Sequence, residues 1–399
     1  MDETFAQVYD NGLGDVHFAL DKREKSLTRE EDVLMFYNVW APPTEATEVT
    51  TKVVYGHYCN TGNVQTLLAL DPDIFKGAIV MCKYGGGAGR PDKAKNVKPH
   101  GAVAVLVFSD PHDFSADGEV GYPEDAGIPS DAVQRGSSKY LRGDPTTPNY
   151  PSIPGAYTDD IDMLIKQTRD NVNGPHIWSP LPSQPISWGN AQTLLNLLDS
   201  GVATPPEWVG ETKMTIDHIG PNFADSNFEF QLSITSNYTR MKSQNVIGYI
   251  KGDTYPDEYV LIGNHRDSWI HGTIDAGSGM TTVLEIARVF KEMNIRPKRT
   301  ILFCSWGSEE HGLMGSEEFV EEFNTIIKER ALIYINADVS FEGNEYFYAG
   351  ASPIFHELVW EITKEGEIST FVRTLLFFNL AEVSFSPITS ICLTITMRV

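Results

Sequence analysis

The chain has 399 residues, 41% hydrophobic and 21% charged, which is ordinary for globular protein and leaves room for two or three domains. Asp and Glu number 54 against 31 Lys and Arg, a formal net charge of -23 that repels phosphate backbones and argues against nucleic-acid binding and anionic membrane surfaces. Cys59, Cys82, Cys304 and Cys392 form no CxxC pair, so a finger-type structural zinc site has no support.

The opening MDETFAQVYDNGLGDVHF lacks the basic and apolar regions of a secretory signal, and no window has the apolar length of a membrane span. Residues 1–44 are polar and mixed. From 45 to 205, KVVYG, GAIVMCKY and AVAVLVFSD read as buried strands, and GGGAGRPD, YPEDAGIPSD and RGDPTTPNYP read as loops. Cys82 and Cys304 lie in apolar runs and are expected to be buried free thiols. One glycosylation sequon, Asn237-Tyr238-Thr239, precedes the region of clearest periodicity.

There EYVLIGNH (258–265), RTILFCSW (299–306) and ALIYINAD (331–338) predict buried strands. SGMTTVLEIARVFKEM (278–293) places Met280, Val283, Leu284, Ala287 and Phe290 at helical spacing, and GSEEFVEEFNTIIKER (315–330) reads as a helix with an acidic first turn. Strands alternating with helices imply a mostly parallel sheet. The tail from 366 carries few charges and no sustained period, and Arg373, Glu382 and Pro387 argue against a membrane helix. It reads as a foreign or misread end, with an ordinary strand–helix pair as the alternative.

Three polar clusters follow the strands: GNHRDSW with GTIDAGSG, SWGSEEHGLMGS, and INADVSFEGN. In open α/β sheets ligands gather at the carboxyl ends of strands. Imidazole and carboxylate are good zinc ligands, and a carboxylate can bridge two ions. Of neighbouring Glu309 and Glu310, one could bind metal while the other takes a proton from water. Asp267, two residues beyond His265, could orient the ring. Taken singly, the histidine is more often a hydrogen-bonded loop residue, the glutamates a solvated helix start and Asp338 an N-cap. Spacing alone leaves both readings open.

The wording HRDSW, IDAGSG, SWGSEEHGLMGS and INADVSFEGN resembles the two-zinc aminopeptidase and carboxypeptidase family, most of all its glutamate carboxypeptidase II and N-acetylated alpha-linked acidic dipeptidase branch. The resemblance runs from about residue 50 to about residue 365. It implies that His265 and Asp338 hold one zinc, that Asp275 bridges, that Glu310 holds the second zinc, and that Glu309 is the general base. It implies a structural calcium on Thr147, Tyr150, Glu318 and Glu321, and Arg90 on the carboxylate of a small acidic peptide substrate. Ser137 stands where the glutamate-specific member carries asparagine, and His356 does not match the histidine that completes the family's second zinc site.

The expected fold is α/β, a mixed, mostly parallel sheet sandwiched by helices, with an inserted β-rich protease-associated domain. Its expected division is residues 1–44 as the N-terminal segment of the peptidase domain, 45–205 as the insert, 206–365 as an incomplete zinc peptidase domain and 366–399 as a divergent tail. The expected function is a zinc-dependent exopeptidase releasing C-terminal residues, weak or inactive through the incomplete second site. The alternative is a receptor-like ectodomain similar to the transferrin receptor. The resemblance further implies the extracellular face of the plasma membrane, and a homodimer whose dimerisation domain lies outside the matched residues.

Overall fold

A computed structural model describes residues 5–21, 23–24, 34–35, 44–114, 128–170, 177–236, 240–341, 346–365 and 392–398. The chain forms two compact units, 1–141 with 159–240, and 142–158 with 241–399. The stretch GDPTTPNYP, placed by sequence with the insert, therefore counts with the second unit, and residues 206–240 count with the first.

In the first unit β1 (Phe5–Asp10), β2 (Asp15–Ala19), β3 (Thr44–Thr51) and a strand near the unit's end make an antiparallel sheet. A second, parallel sheet is formed by β4 (Val53–Tyr55), β5 (Ile79–Lys83), β6 (Ala104–Phe108) and β7 (Ser183–Pro185), in that order. Its strands are buried throughout; β4, β5 and β6 are largely apolar runs, as strands between layers are, while β7 buries the polar Ser183 and Gln184. Helix α1 (Thr61–Leu70) is capped by Asn60, whose Oδ1 accepts from Asn63 N at 2.9 Å. Arg90-Pro91-Asp92, read from sequence as loop, instead opens α2 (Arg90–Val97). Pro91 has no amide to lose in a first turn, and Asp92 Oδ2 accepts from Gly89 N at 3.1 Å. Helix α3 (Trp188–Leu197) follows, and β8 (Phe228–Ser236) closes the antiparallel sheet between β1 and β3.

Cys82 is not a free thiol. It is disulfide-bonded to Cys59, with a Cα–Cα distance of 5.6 Å. The apolar run places Cys82 in a strand but does not reveal the turn after β4, where His57 and Cys59 both adopt positive φ (55° and 52°) and bring Cys59 over β5. Cys304 is free and buried.

In the second unit the elements are β9 (Val246–Ile250), β10 (Tyr255–His265), α4 (Gly277–Glu292), β11 (Arg299–Trp306), α5 (Met314–Glu322), α6 (Asn324–Arg330), β12 (Ala331–Asn336), β13 (Tyr346–Ala351), α7 (His356–Glu365) and β14 (Cys392–Arg398). The sheet order is β9-β11-β10-β12-β14-β13, with only β9 and β13 antiparallel to their neighbours. Alternate residues of β10 and β11 feed opposite faces. Ile262, Ile301 and Phe303 pack under Val283, Ile286 and Phe290 of α4, while Leu261, Cys304 and Trp306 pack against Phe319 of α5. The helix expected over 315–330 breaks at Phe323, whose φ of -104° and ψ of 20° separate α5 from α6.

Most of the tail lies outside the described residues, as does the Asn237 sequon. Cys392–Arg398, however, does not depart from the domain: it pairs in parallel with β12 and antiparallel with β13. Its alternation of apolar and Thr residues suits a strand, which is the ordinary alternative for that stretch. Among the described residues no helix is long and apolar enough to cross a membrane.

One buried polar nest stands out in the first unit. Lys83, fully buried, pairs with Asp113 at 2.9 Å, and Tyr58 Oη donates to Asp113 at 2.9 Å. His57 stacks on Trp208 with centroids 4.8 Å apart, and neither ring nitrogen has a hydrogen-bond partner. Burial, and next the charge of Lys83, push the His57 pKa from 6.5 down to about 4. Because the folded value lies below the unfolded one, neutral His57 stabilises fully above the unfolded pKa, and that contribution is lost as pH falls towards the folded value. Thermal denaturation at about pH 7.5 and about pH 4.5 should show wild type losing on the order of 2 kcal/mol more than His57→Asn, asparagine tolerating the positive φ. Equal losses would refute this.

Candidate zinc centre

The parallel register aligns the ends of three strands: His265 lies opposite Trp306, and Gly263 opposite Asn336. Each polar cluster therefore leaves the sheet at the same edge. Gly279 lets the start of α4 meet the end of β12, because a Cβ there would lie 1.4 Å from Ala337 O. Buried Asn264 ties the same two segments, its Nδ2 donating to Ala276 O at 2.8 Å and to Asp338 O at 3.0 Å.

His265 is 2% exposed and is the hub. Its Nε2 lies 2.9 Å from Asp338 Oδ1 and 3.0 Å from Asp275 Oδ1. Its Nδ1 is 2.9 Å from Asp267 O and 3.5 Å from Asp267 Oδ1. One ligand atom from each of His265, Asp275 and Asp338 falls within a 4.8 Å span, a donor set of the size and chemistry that a tetrahedral zinc takes. Burial works against charge on the ring, but hydrogen bonds with Asp267, Asp275 and Asp338 outweigh it and hold His265 protonated, its pKa up at about 12. A divalent cation bound at Nε2 would replace that proton.

Glu309 Oε2 is 4.0 Å from His265 Nε2. Its amide donates to Asp267 Oδ1 at 3.0 Å, and that of Glu310 to Asp267 Oδ2 at 3.2 Å. Burial raises Asp267, but the bonds from His265 and from these amides bring it below the usual carboxylate range. Burial, and then Asp338, Asp267 and Asp275 against the opposing His265, raise Glu309 to about 6. Burial and the charges of Asp275 and Glu309 raise Glu310 to about 8. The structure thus gathers His265, Asp267, Asp275, Glu309, Glu310 and Asp338.

The two segments expected at calcium, one carrying Thr147 and Tyr150 and the other Glu318 and Glu321, also meet within this unit. Glu318 accepts from Asp144 N and from Ser152 N, both at 2.6 Å, which joins α5 to the loop carrying Thr147 and Tyr150. Thr147 Oγ1 and Glu321 Oε2 are buried without a hydrogen-bond partner. Burial, then Glu318 and Glu317, raise Glu321 to about 7. Orphaned oxygens beside crowded carboxylates are what a hard cation satisfies. Tyr150 Oη instead donates to Tyr157 O at 2.8 Å.

Arg90 and Ser137 belong to the first unit, near each other. Arg90 Nη2 donates to Arg135 O at 3.0 Å and its guanidinium lies 5.4 Å from the Tyr84 ring centroid, while Ser137 Oγ accepts from Lys139 N at 3.1 Å. Sequence reasoning missed Asn264 and Ser278. Ser278 Oγ donates to Ile274 O at 2.6 Å and accepts from Ser340 N at 3.2 Å. An asparagine closing an otherwise apolar run was the available signal for the first.

Residues 245–372 match Peptidase family M28, and residues 49–141 match the PA domain. Aminopeptidase NAALADL1 of Rattus norvegicus is 37% identical over 370 residues, 88% of this chain and 47% of that protein. A Glutamate carboxypeptidase 2 homolog of Caenorhabditis briggsae is 35% identical over 324 residues, 79% of this chain and 40% of its own. Transferrin receptor protein 2 of Homo sapiens is 30% identical over 331 residues, 82% of this chain and 38% of its own. The chain spans less than half the length of each of these relatives. A solved structure, a Peptidase M28 precursor from Shewanella amazonensis, aligns with 100% of this chain and 72% of that one at 16% identity and a TM-score of 0.50, a likeness of fold. Over residues 245–372 the chain therefore belongs to Peptidase family M28, and over residues 49–141 it carries a PA domain.

Proposed function

We propose that this chain is the zinc-binding part of an exopeptidase of the glutamate carboxypeptidase kind, acting on small peptides. The observation that carries this reading is the convergence of His265, Asp275 and Asp338 beside Glu309. These three residues would hold one zinc, and Glu310 with Asp275 would offer carboxylates to a second. Zinc, when bound, acidifies water and polarises a peptide carbonyl. Glu309, with a pKa of about 6, would take the proton of the attacking water and deliver it to the leaving amine. Asp267 would keep His265 and the two glutamates in position. The buried Cys59–Cys82 disulfide supports an oxidising compartment and hence the extracellular side.

A receptor-like ectodomain is the second reading, favoured by the 30% identity to Transferrin receptor protein 2. Metal content separates the two. Elemental analysis after zinc loading and dialysis should find nearer one zinc than two per chain, because the second ion would have carboxylates only; His265→Ala should lose it. A zinc-free wild type would favour the receptor reading. Hydrolysis of N-acetylated dipeptides, slow with one tight metal, should fall about 10²–10⁴-fold in Glu309→Gln while zinc is retained, and undiminished turnover would remove Glu309 as the base. Calcium should raise the melting temperature of wild type but not of Glu321→Gln, and an equal rise in both would reject the Thr147–Glu321 site.

A further inference from the structure

We propose that Asn245 is a positioning residue for the two glutamates: its carboxamide clasps both ends of the loop 307–315 and so fixes Glu309 and Glu310 beside His265. The proposal rests on the zinc-peptidase reading above and deepens it.

The loop leaves β11 after Trp306 and enters α5 at Met314. Its two ends lie side by side, Gly315 N donating to Gly307 O at 2.9 Å and Met314 N to Ser308 O at 3.2 Å. Asn245, immediately before β9, bridges the same two ends with one side chain. Its Nδ2 donates to Gly315 O at 2.7 Å, and its Oδ1 accepts from Gly307 N at 3.2 Å. Both glycines are buried, and the fit leaves no spare room: a Cβ on Gly315 would lie 2.3 Å from Asn245 Oδ1 and 2.5 Å from Gly307 O. Asn245 is itself anchored on either side. Val246 pairs with Ser305 in the ladder of β9 with β11, and Arg266, next to His265, donates to Gln244 O and, at 2.9 Å, to Ser305 O.

Between its ends the loop is strained. Ser308 and Leu313, neither of them glycine, hold left-handed backbone at φ of 56° and 58°. Residues keep that conformation only where their surroundings impose it. Asp267 holds the amides of Glu309 and Glu310 in the middle of the loop, and Asn245 holds the frame in which that middle sits. The task needs a donor for one end and an acceptor for the other, which a carboxamide carries together and a carboxylate does not. Released at either end, the loop would relax its two left-handed residues. Glu309, whose Oε2 is 4.0 Å from His265 Nε2, would then drift out of line with the cluster.

Hydrogen exchange read by mass spectrometry tests the clasp without turnover or added metal. In Asn245→Ala the peptides covering 307–315 should exchange about tenfold faster or more, while those of β10 and β12 keep wild-type protection. Asn245→Asp, which keeps the acceptor and loses the donor, should give the same pattern. After zinc loading, Asn245→Ala should retain the metal held by His265. Its kcat on an N-acetylated dipeptide should fall about tenfold or more with KM unchanged, because a displaced base slows the chemical step and leaves binding alone. Unchanged exchange over 307–315 in both variants, or protection lost across the whole sheet, would overturn the clasp. An unchanged kcat, or a raised KM in its place, would overturn the positioning role. If the wild type holds no zinc and hydrolyses nothing, the peptidase reading fails, and the exchange measurement alone decides whether Asn245 holds the loop.

Discussion

The second unit depends on one carboxylate. Asp267 receives the amides of Glu309 and Glu310 on its two oxygens and lies 3.5 Å from His265 Nδ1 on one of them. Three contacts on so short a side chain lock the exit of β10 to the exit of β11. They also set which nitrogen of His265 faces the cluster, because a ring engaged at Nδ1 presents Nε2. Without the Asp267 carboxylate the amides of Glu309 and Glu310 would lose their partner, while the Asp267 carbonyl would still hold Nδ1 at 2.9 Å.

Around that lock the sheet does the rest. Parallel strands in register bring three chain segments to one edge, and carboxylates that would repel each other in water are held together there. Burial first, and that repulsion after it, raise Glu309 and Glu310. It is the expected state of a site shaped for cations: like charges gathered around one imidazole, whose proton offsets part of the cost. The oxygens around Thr147 and Glu321 obey the same logic with a different donor set. There Thr147 Oγ1 and Glu321 Oε2 stay without a hydrogen-bond partner.

What could be read in the sequence was whatever had a period or a neighbour. The buried strand at 299–306, the strand at 331–336, in which only Ile333 is buried, and helix α4 followed from apolar runs and helical spacing, and the stretches HRDSW, IDAGSG, SWGSEEHGLMGS and INADVSFEGN carried the cluster residues. Long-range contacts left no such trace. The Cys59–Cys82 bond depends on a turn with two positive-φ residues, which side-chain types alone did not predict. The break at Phe323 leaves the helical pattern of 315–330 intact in sequence while dividing it in space. Asn264 looked like one polar residue at a strand end, and only the meeting of α4 with β12 gave its side chain two carbonyls to hold. The pairing of Cys392–Arg398 was likewise hidden, since its partners lie far back in the chain.

The close approach at Gly279 bears on how this sequence can vary. Any change at the first or second base of a glycine codon gives the residue a side chain or stops the chain, and even a methyl group would collide with the Ala337 carbonyl. Shifting α4 to make room would carry Asp275 away from His265 and strain the Asn264 bridge. Position 279 is therefore a point at which a missense change would pull apart the His265, Asp275 and Asp338 cluster without altering any of its members, and a survey of natural variants confined to those three positions would overlook it.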